Sequence, residues 1–163
     1  MPKTLVLLRH AKSAWPDDVA DSQRPLAKRG RRDAPAAGRW LCERDLAPEI
    51  ALVSSARRAV ETFELVAAEL PVRPRETVTD AAYGASVGDL LDLVRGLADD
   101  VVSALVVGHN PGIGRLANVL DEAERSTHEF PTSALAVFHV DGQWSAVDPA
   151  TARLVAFAVP RGE

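Results

Sequence analysis

Residues 4–10 read Thr4-Leu5-Val6-Leu7-Leu8-Arg9-His10. Thr4 to Leu8 is a continuous β-prone, apolar run, the pattern of a strand buried on both faces. Such a strand needs covering layers above and below it. The rest of the chain supplies them by alternating strand and helix patterns. Leu26 to Arg44 carries apolar residues at helical spacing through Leu26, Ala34, Ala37, Trp40 and Leu41. Glu49 to Ser54 reads as a second strand and Arg57 to Leu70 as a second helix, closed by Pro71 and Pro74 because proline cannot continue it. A short strand near Thr77 precedes a helix from Val87 to Ala98 with Leu90, Leu91, Leu93, Val94 and Leu97 on one face. Ser103 to Val107 is a third buried strand, and Ile113 to Leu120 begins another helix.

Toward the end, Ala134 to Val140 and Trp144 to Val147 flank Asp141-Gly142, a dipeptide suited to a tight hairpin turn, and Leu154 to Val159 supplies a last strand. Strands alternating with helices predict a three-layer α/β/α sandwich with a mainly parallel central sheet. The closing hairpin predicts at least one antiparallel strand. No repeat, low-complexity tract or linker interrupts the pattern, so residues 1–163 are expected to form a single domain.

Composition narrows the function classes. With 163 residues, 47% of them hydrophobic, the chain has enough apolar material for a buried core. Nineteen basic against 23 acidic residues give a net charge of -4, and neither end is strongly basic, so no nucleic-acid partner is expected and any anion site must be local. The apolar run after Lys3 is shorter than a signal-peptide core of about 7 to 15 residues, and no stretch reaches the ~20 needed to cross a bilayer. The expectation is a soluble, cytoplasmic protein with no membrane partner, and a monomer. The lone Cys42 excludes an internal disulfide and reads as a small half-buried apolar residue. No metal-ligand spacing appears, so neither metal nor cofactor is expected.

In sheets of this kind ligands collect beyond the carboxyl ends of the strands. Three polar clusters fall there: Arg9-His10 after the first strand, Ser54-Ser55-Ala56-Arg57-Arg58 after the second, and Gly108-His109-Asn110-Pro111-Gly112 after the third buried one. A lone strand-end histidine is usually an ordinary hydrogen-bonding residue, and a lone arginine there a solvated helix start. Two histidines and two arginine groups converging on one sheet edge make a phosphate pocket the better reading. The glycine loop from Gly108 to Gly114 runs G-x-x-x-G-x-G, which is neither the dinucleotide nor the P-loop pattern. Pro111 instead starts a helix whose first amides lie beside the anion.

Taken together these residues are familiar. Leu7-Leu8-Arg9-His10-Ala11-Lys12-Ser13 resembles the R-H-G/A signature of the histidine phosphatase superfamily. Ser54-Ser55-x-x-Arg58-Ala59-x-x-Thr62 and Val106-Val107-Gly108-His109-Asn110-Pro111 resemble its second and third blocks, in order. The chain looks like the short phosphohistidine phosphatase branch. That likeness rests on Arg9 to Ser13, on Asp21-Ser22-Gln23-Arg24-Pro25-Leu26 with Arg29-Gly30, on Ala82-Tyr83 and on Thr132-Ser133-Ala134. The resemblance implies a phosphoglycerate mutase-like fold, a nucleophilic role for His10, and phosphate-holding roles for Arg9, Arg58 and His109. Lys12 and Ser13 would be rim contacts. Asp21 and Arg24 would border the opening, their competing reading being a cap and salt bridge at the next helix. A histidine nucleophile must be neutral, and flanking arginines disfavour a third positive charge, so they should lower the pKa of His10. Their forked donors match phosphoryl oxygens.

Two departures matter. Longer superfamily members often read R-H-G-E-S-x-x-N where this chain has Ala11, Lys12 and Pro16, and a proline makes no side-chain contact to phosphate. The glutamate that serves many relatives as general acid is not evident either. Asp80 lies roughly where an acid occurs, although a surface-loop aspartate is the stronger reading of it. An alkoxide leaving group needs that proton, whereas phosphohistidine leaves as imidazole, a far weaker base. The function expected is therefore a phosphatase working through a phosphohistidine intermediate, acting on a phosphorylated protein or a small phosphorylated substrate. The alternatives are a phosphoglycerate-type mutase, which needs insertions this chain lacks room for, and a non-catalytic phosphoprotein-binding module, which needs no nucleophile. His128 and His139 read as structural, and Trp15, Trp40 and Trp144 are too scattered for a nucleic-acid stacking platform.

Overall fold

The computed structural model describes residues 2–121 and 129–163. His128, read above as a loop residue, lies outside them. In chain order the elements are β1 (Lys3–Arg9), α1 (Lys28–Glu43), β2 (Ile50–Ser54), α2 (Arg57–Ala67), β3 (Arg75–Thr79), α3 (Val87–Arg95), β4 (Ser103–Gly108), α4 (Gly112–Leu120), β5 (Leu135–Val140) and β6 (Ala152–Ala158). Short 3-10 turns stand at Asp21–Gln23, Asp80–Ala82 and Trp144–Ala146.

The strands form one sheet in the order β3-β2-β4-β1-β5-β6. The β3/β2, β2/β4 and β4/β1 pairs are parallel, while β5 is antiparallel to both β1 and β6. The α/β class, the mainly parallel sheet and the antiparallel strand all agree with the sequence. Strand β1 sits between β4 and β5, so both of its faces must be covered, and its residues divide by parity. Leu5 and Leu7 join Leu90, Val94, Ile113 and Leu116 of α3 and α4 in one core layer. Val6 and Leu8 join Ala37, Leu41, Phe63 and Val66 of α1 and α2 in the other. The period of two along a strand thus sorts one apolar run into two cores.

One expectation is corrected. The hairpin partner of β5 is β6, and Trp144 to Val147 is not a strand. The chain turns at Gly142, whose φ of +79° suits a residue without Cβ, and then enters the Trp144–Ala146 turn. Trp144 is fully buried, its Nε1–H donates to Val101 O at 2.8 Å, and Val147 is buried beside it. A short helical turn sends both apolar residues to the same core, which the alternation of a strand could not do. Among the described residues, no helix is long and apolar enough to cross a membrane.

Candidate active site

The site follows from register. Arg9 of β1 stands opposite Gly108 of the parallel neighbour β4, so the next residues, His10 and His109, leave the sheet side by side. The His10 N–H donates to Gly108 O at 3.0 Å, and the two rings lie 5.0 Å apart between centroids. The helix after β1 packs on one face and the helix after β4 on the other. The two loops therefore part at this point and leave a crevice, the usual ligand position in open α/β sheets.

Strand β2, on the other side of β4, ends at Ser54, whose Oγ is 2.7 Å from His109 Nε2. One turn later Arg58 emerges from the start of α2 and is buried. Thr62, a further turn along, accepts the Ala11 N–H at 3.0 Å and donates to Arg58 O at 2.7 Å, which pins the His10 loop to α2. On the far side of His10, Lys12 O accepts the Ala27 N–H at 2.9 Å. A Cβ on Gly30 would stand 2.1 Å from that same Lys12 oxygen, so only glycine lets α1 approach the loop so closely.

These pieces surround a cavity of about 220 Å³ lined by Arg9, His10, Lys12, Ser13, Trp15, Arg24, Arg58, His109, Asn110 and Thr132. Seven of the residues marked in the sequence, Arg9, His10, Lys12, Ser13, Arg24, Arg58 and His109, meet in its wall. Asp21 stands behind them. Its carboxylate accepts from Arg24 at 3.0 Å, from Arg58 at 3.0 Å and from the Tyr83 hydroxyl at 2.5 Å. Arg24 thus borders the cavity and forms the expected ion pair with Asp21, whereas neither caps the next helix, whose N-cap is Ala27. Asp80 is not in this wall. It opens the 3-10 turn after β3, is exposed, and lines a separate depression with Ala81, Tyr83, Asp89 and Asp92.

Electrostatics at the cavity favour an anion. His10 Nδ1 lies 2.8 Å from Ala11 O. A carbonyl oxygen only accepts, so Nδ1 carries the proton and Nε2 keeps the lone pair. The His10 pKa is pushed down to about 3, mainly by burial, with His109, Arg58 and Arg9 adding repulsion and the Ala11 bond pulling the other way. Burial outweighs the flanking arginines, the reverse of the emphasis in the sequence reading. His109 is lowered to about 4, again by burial first and Arg58 next. Burial and Arg58 also lower Arg9. Asp21 is held well below the usual carboxylate range by the Tyr83 hydroxyl, and by Arg24 and Arg58. It stays ionised and is no proton donor. Arg9 Nε, Arg58 Nε and His109 Nδ1 are buried without a hydrogen-bond partner among the described residues. These three atoms all belong to residues of the one cavity wall.

Sequence reasoning gave Trp15 no part in the site, and quoted Ser54, Tyr83, Asn110 and Thr132 within motifs without assigning their side chains a role there. Ser54 was the most findable, since a buried strand that ends in a hydroxyl needs a partner for it. Tyr83 entered only through the Ala82-Tyr83 likeness; its ring packs edge-on against His109, with centroids 5.6 Å apart.

A sequence model of the histidine phosphatase superfamily (branch 1) matches residues 5–109, which span β1 through His109. The uncharacterized protein Rv1276c of Mycobacterium tuberculosis (strain H37Rv) is 43% identical over 162 residues, covering 94% of this chain and 100% of the relative. The fold of the putative phosphohistidine phosphatase SixA from Nakamurella multipartitia superposes with a TM-score of 0.88 at 29% identity, over 98% of this chain and 97% of that one. A protein histidine phosphatase SixA complexed with tungstate superposes with a TM-score of 0.80 at 27% identity, over 96% and 97% of the two chains. The chain belongs to the histidine phosphatase superfamily, branch 1, and has the fold of its short SixA-like members.

Proposed function

We propose that residues 1–163 act as a single metal-independent phosphatase domain that transfers a phosphoryl group to His10 and then to water, with protein phosphohistidine as the favoured substrate and small phosphomonoesters as accessible ones. One observation carries this reading. The Nδ1–H of His10 is committed to Ala11 O, so its unprotonated Nε2 is the free nitrogen of a ring that lines a cavity walled by Arg9, Arg58 and His109.

In the first step Nε2 attacks phosphorus and the bond from phosphorus to the leaving atom breaks, its electron pair going with the leaving group. Arg9, Arg58 and His109 hold the equatorial oxygens, where the charge stays spread, so positioning and fixed donors supply most of the catalysis. In the second step water attacks the phosphoryl group on Nε2, the P–N bond breaks, and phosphate leaves with His10 neutral again. Among the described residues, the cavity wall holds no carboxyl group that could protonate a leaving alkoxide. A phosphohistidine protonated on its other ring nitrogen leaves as neutral imidazole and needs no such acid. The same lack weighs against a phosphoglycerate-type mutase, whose sugar-phosphate oxygen is a poor leaving group.

The SixA relative that takes up tungstate, a tetrahedral oxyanion, supports phosphate as the group bound here. The decisive experiment is hydrolysis of para-nitrophenyl phosphate and of a histidine-phosphorylated protein, with chelator present, by the wild type and by His10→Ala. The wild type is expected to release product and His10→Ala to lose at least about 10⁴-fold, as nucleophile removal does elsewhere. Equal activity of the two proteins would remove His10 from the mechanism.

A further inference from the structure

Trp15 stands out in the wall of the His10 cavity. It is 75% exposed, yet it is not a loose surface residue. The Arg24 guanidinium carbon lies 3.3 Å from the centroid of its ring. Arg24 itself is buried and tied down at its edges: Nε donates to Ala14 O at 3.0 Å, Nη1 to Asp21 at 3.0 Å, and Nη2 to the Ser13 hydroxyl. A planar cation fixed at its rim holds the indole flat by cation–π attraction and covers one of its faces. The other face is turned to solvent at the mouth of the cavity. Every other residue lining the cavity contributes a charged, imidazole, amide or hydroxyl group. Among the described residues, Trp15 is the wall's one large apolar plate.

A phosphoryl group held by Arg9, Arg58 and His109 projects its leaving group out of the cavity, toward this rim. We propose that Trp15 is a stacking platform for the leaving group, selecting substrates whose phosphoryl group sits on a planar ring, the imidazole of phosphohistidine and the ring of an aryl phosphate alike. This rests on the phosphatase reading and names the residue that selects its substrate class. Offset aromatic stacking accounts for a preference of about tenfold for planar over alkyl groups. A phenylalanine keeps an apolar plate at the position, whereas an alanine keeps none.

The test is calorimetric binding of two non-hydrolysable probes, phenylphosphonate and methylphosphonate, to the wild type, Trp15→Phe and Trp15→Ala. The expected result is about tenfold tighter binding of the phenyl probe by the wild type, most of that ratio kept in Trp15→Phe, and a ratio near one in Trp15→Ala. If Trp15→Ala weakens both probes equally and keeps the ratio, Trp15 only braces Arg24 and the platform is wrong. If the wild type shows no phenyl preference, or binds neither probe, it is wrong as well. The readout needs no turnover, so it stands apart from failure of the phosphatase reading, which would appear as absent hydrolysis by the wild type. The kinetic counterpart is the ratio of kcat/KM for para-nitrophenyl phosphate to that for acetyl phosphate, which should fall in Trp15→Ala.

Discussion

Two depressions on this molecule are rich in arginine, and the larger one is the less promising. It spans about 560 Å³ between α1 and the C-terminal segment, with Arg39, Trp40, Arg44 and Arg161 in its wall. Each of those arginines has a carboxylate beside it: Arg39 has Glu69 at 3.2 Å, Arg44 has Glu43 at 3.9 Å, and Arg161 has Asp33 at 3.2 Å, which Arg29 also approaches. The His10 cavity is less than half that size. There Arg24 and Arg58 share the one carboxylate of Asp21, and Arg9 pairs with none among the described residues. Charge left uncompensated, at groups taken out of water, distinguishes a phosphate site from a surface that is merely basic. Volume does not.

The sharpest way to break this contrast is to remove one arginine from each depression. On the proposed mechanism Arg58→Ala takes away a fixed donor to the reacting group, which in comparable sites costs about 10² to 10³ in rate. Arg39→Ala breaks an exposed ion pair of the kind worth about 0 to 1 kcal/mol. Steady-state hydrolysis of para-nitrophenyl phosphate should therefore fall at least about 100-fold in Arg58→Ala and stay within about twofold in Arg39→Ala. Comparable losses in both would mean that the larger depression also takes part.

The sequence made the His10 cavity legible and left the larger depression invisible. β1 and β4 announce themselves as apolar runs, and each ends in a charged or imidazole residue where an apolar strand has no reason to. That local signal, repeated at separate strand ends, was enough to assemble Arg9, His10, Arg58 and His109. The support around them was not legible, because it depends on contacts far apart in the chain. Tyr83 reaches Asp21 across 62 positions, and Ser54 reaches His109 across 55. Trp15 looked scattered because its partner, Arg24, is brought to it by a loop with no periodic pattern. Trp144 misled for a related reason, since an apolar-x-x-apolar stretch after a turn fits a strand until the core it fills is known. The dominance of burial over the arginines in lowering His10 was likewise beyond reach, since sequence displays charges but not solvent access.

Burial of two neutral histidines has a consequence for the whole protein. In the folded state their pKa values stand at about 3 and about 4, whereas an unfolded histidine titrates near 6.5. As the pH falls through 6.5 the unfolded chain takes up protons that the folded site refuses, so stability falls with acidity. Between about pH 7.5 and pH 5 each histidine should cost about 2 kcal/mol. Asp21 acts with the same sign but at lower pH. Its lowered carboxyl pKa contributes stability above the ordinary aspartate range, which is kept throughout this window and lost only at lower pH. Urea unfolding at the two pH values should show the decline, and His10→Asn should shrink it by roughly half. An unchanged slope in His10→Asn would mean that His10 is not buried neutral.

The smallest effect belongs to the residue that joins the two regions. Arg161 lines the larger depression, and its Nη1 donates both to Asp33 at 3.2 Å and to Thr132 O at 2.9 Å. Thr132 is part of the His10 cavity wall. The next residue, Ser133, holds a φ of +64° and its N–H reaches Arg9 O and His10 O, each at 3.2 Å. A left-handed serine persists only where its surroundings hold it, and Arg161 is one of the residues holding that segment. Arg161→Ala leaves Asp33 with Arg29 at 3.6 Å and the Gly162 N–H at 2.9 Å, so the buried carboxylate keeps partners and the loss in stability should be only about 1 kcal/mol. What loosens is the Thr132–Ser133 corner, which shapes the cavity rim without donating to the reacting phosphoryl group. KM should rise a few-fold with kcat nearly unchanged, as expected for a wall that positions bound substrate and not the transition state alone. A fall in kcat equal to the fall in kcat/KM would instead place this corner among the groups that act on the transition state.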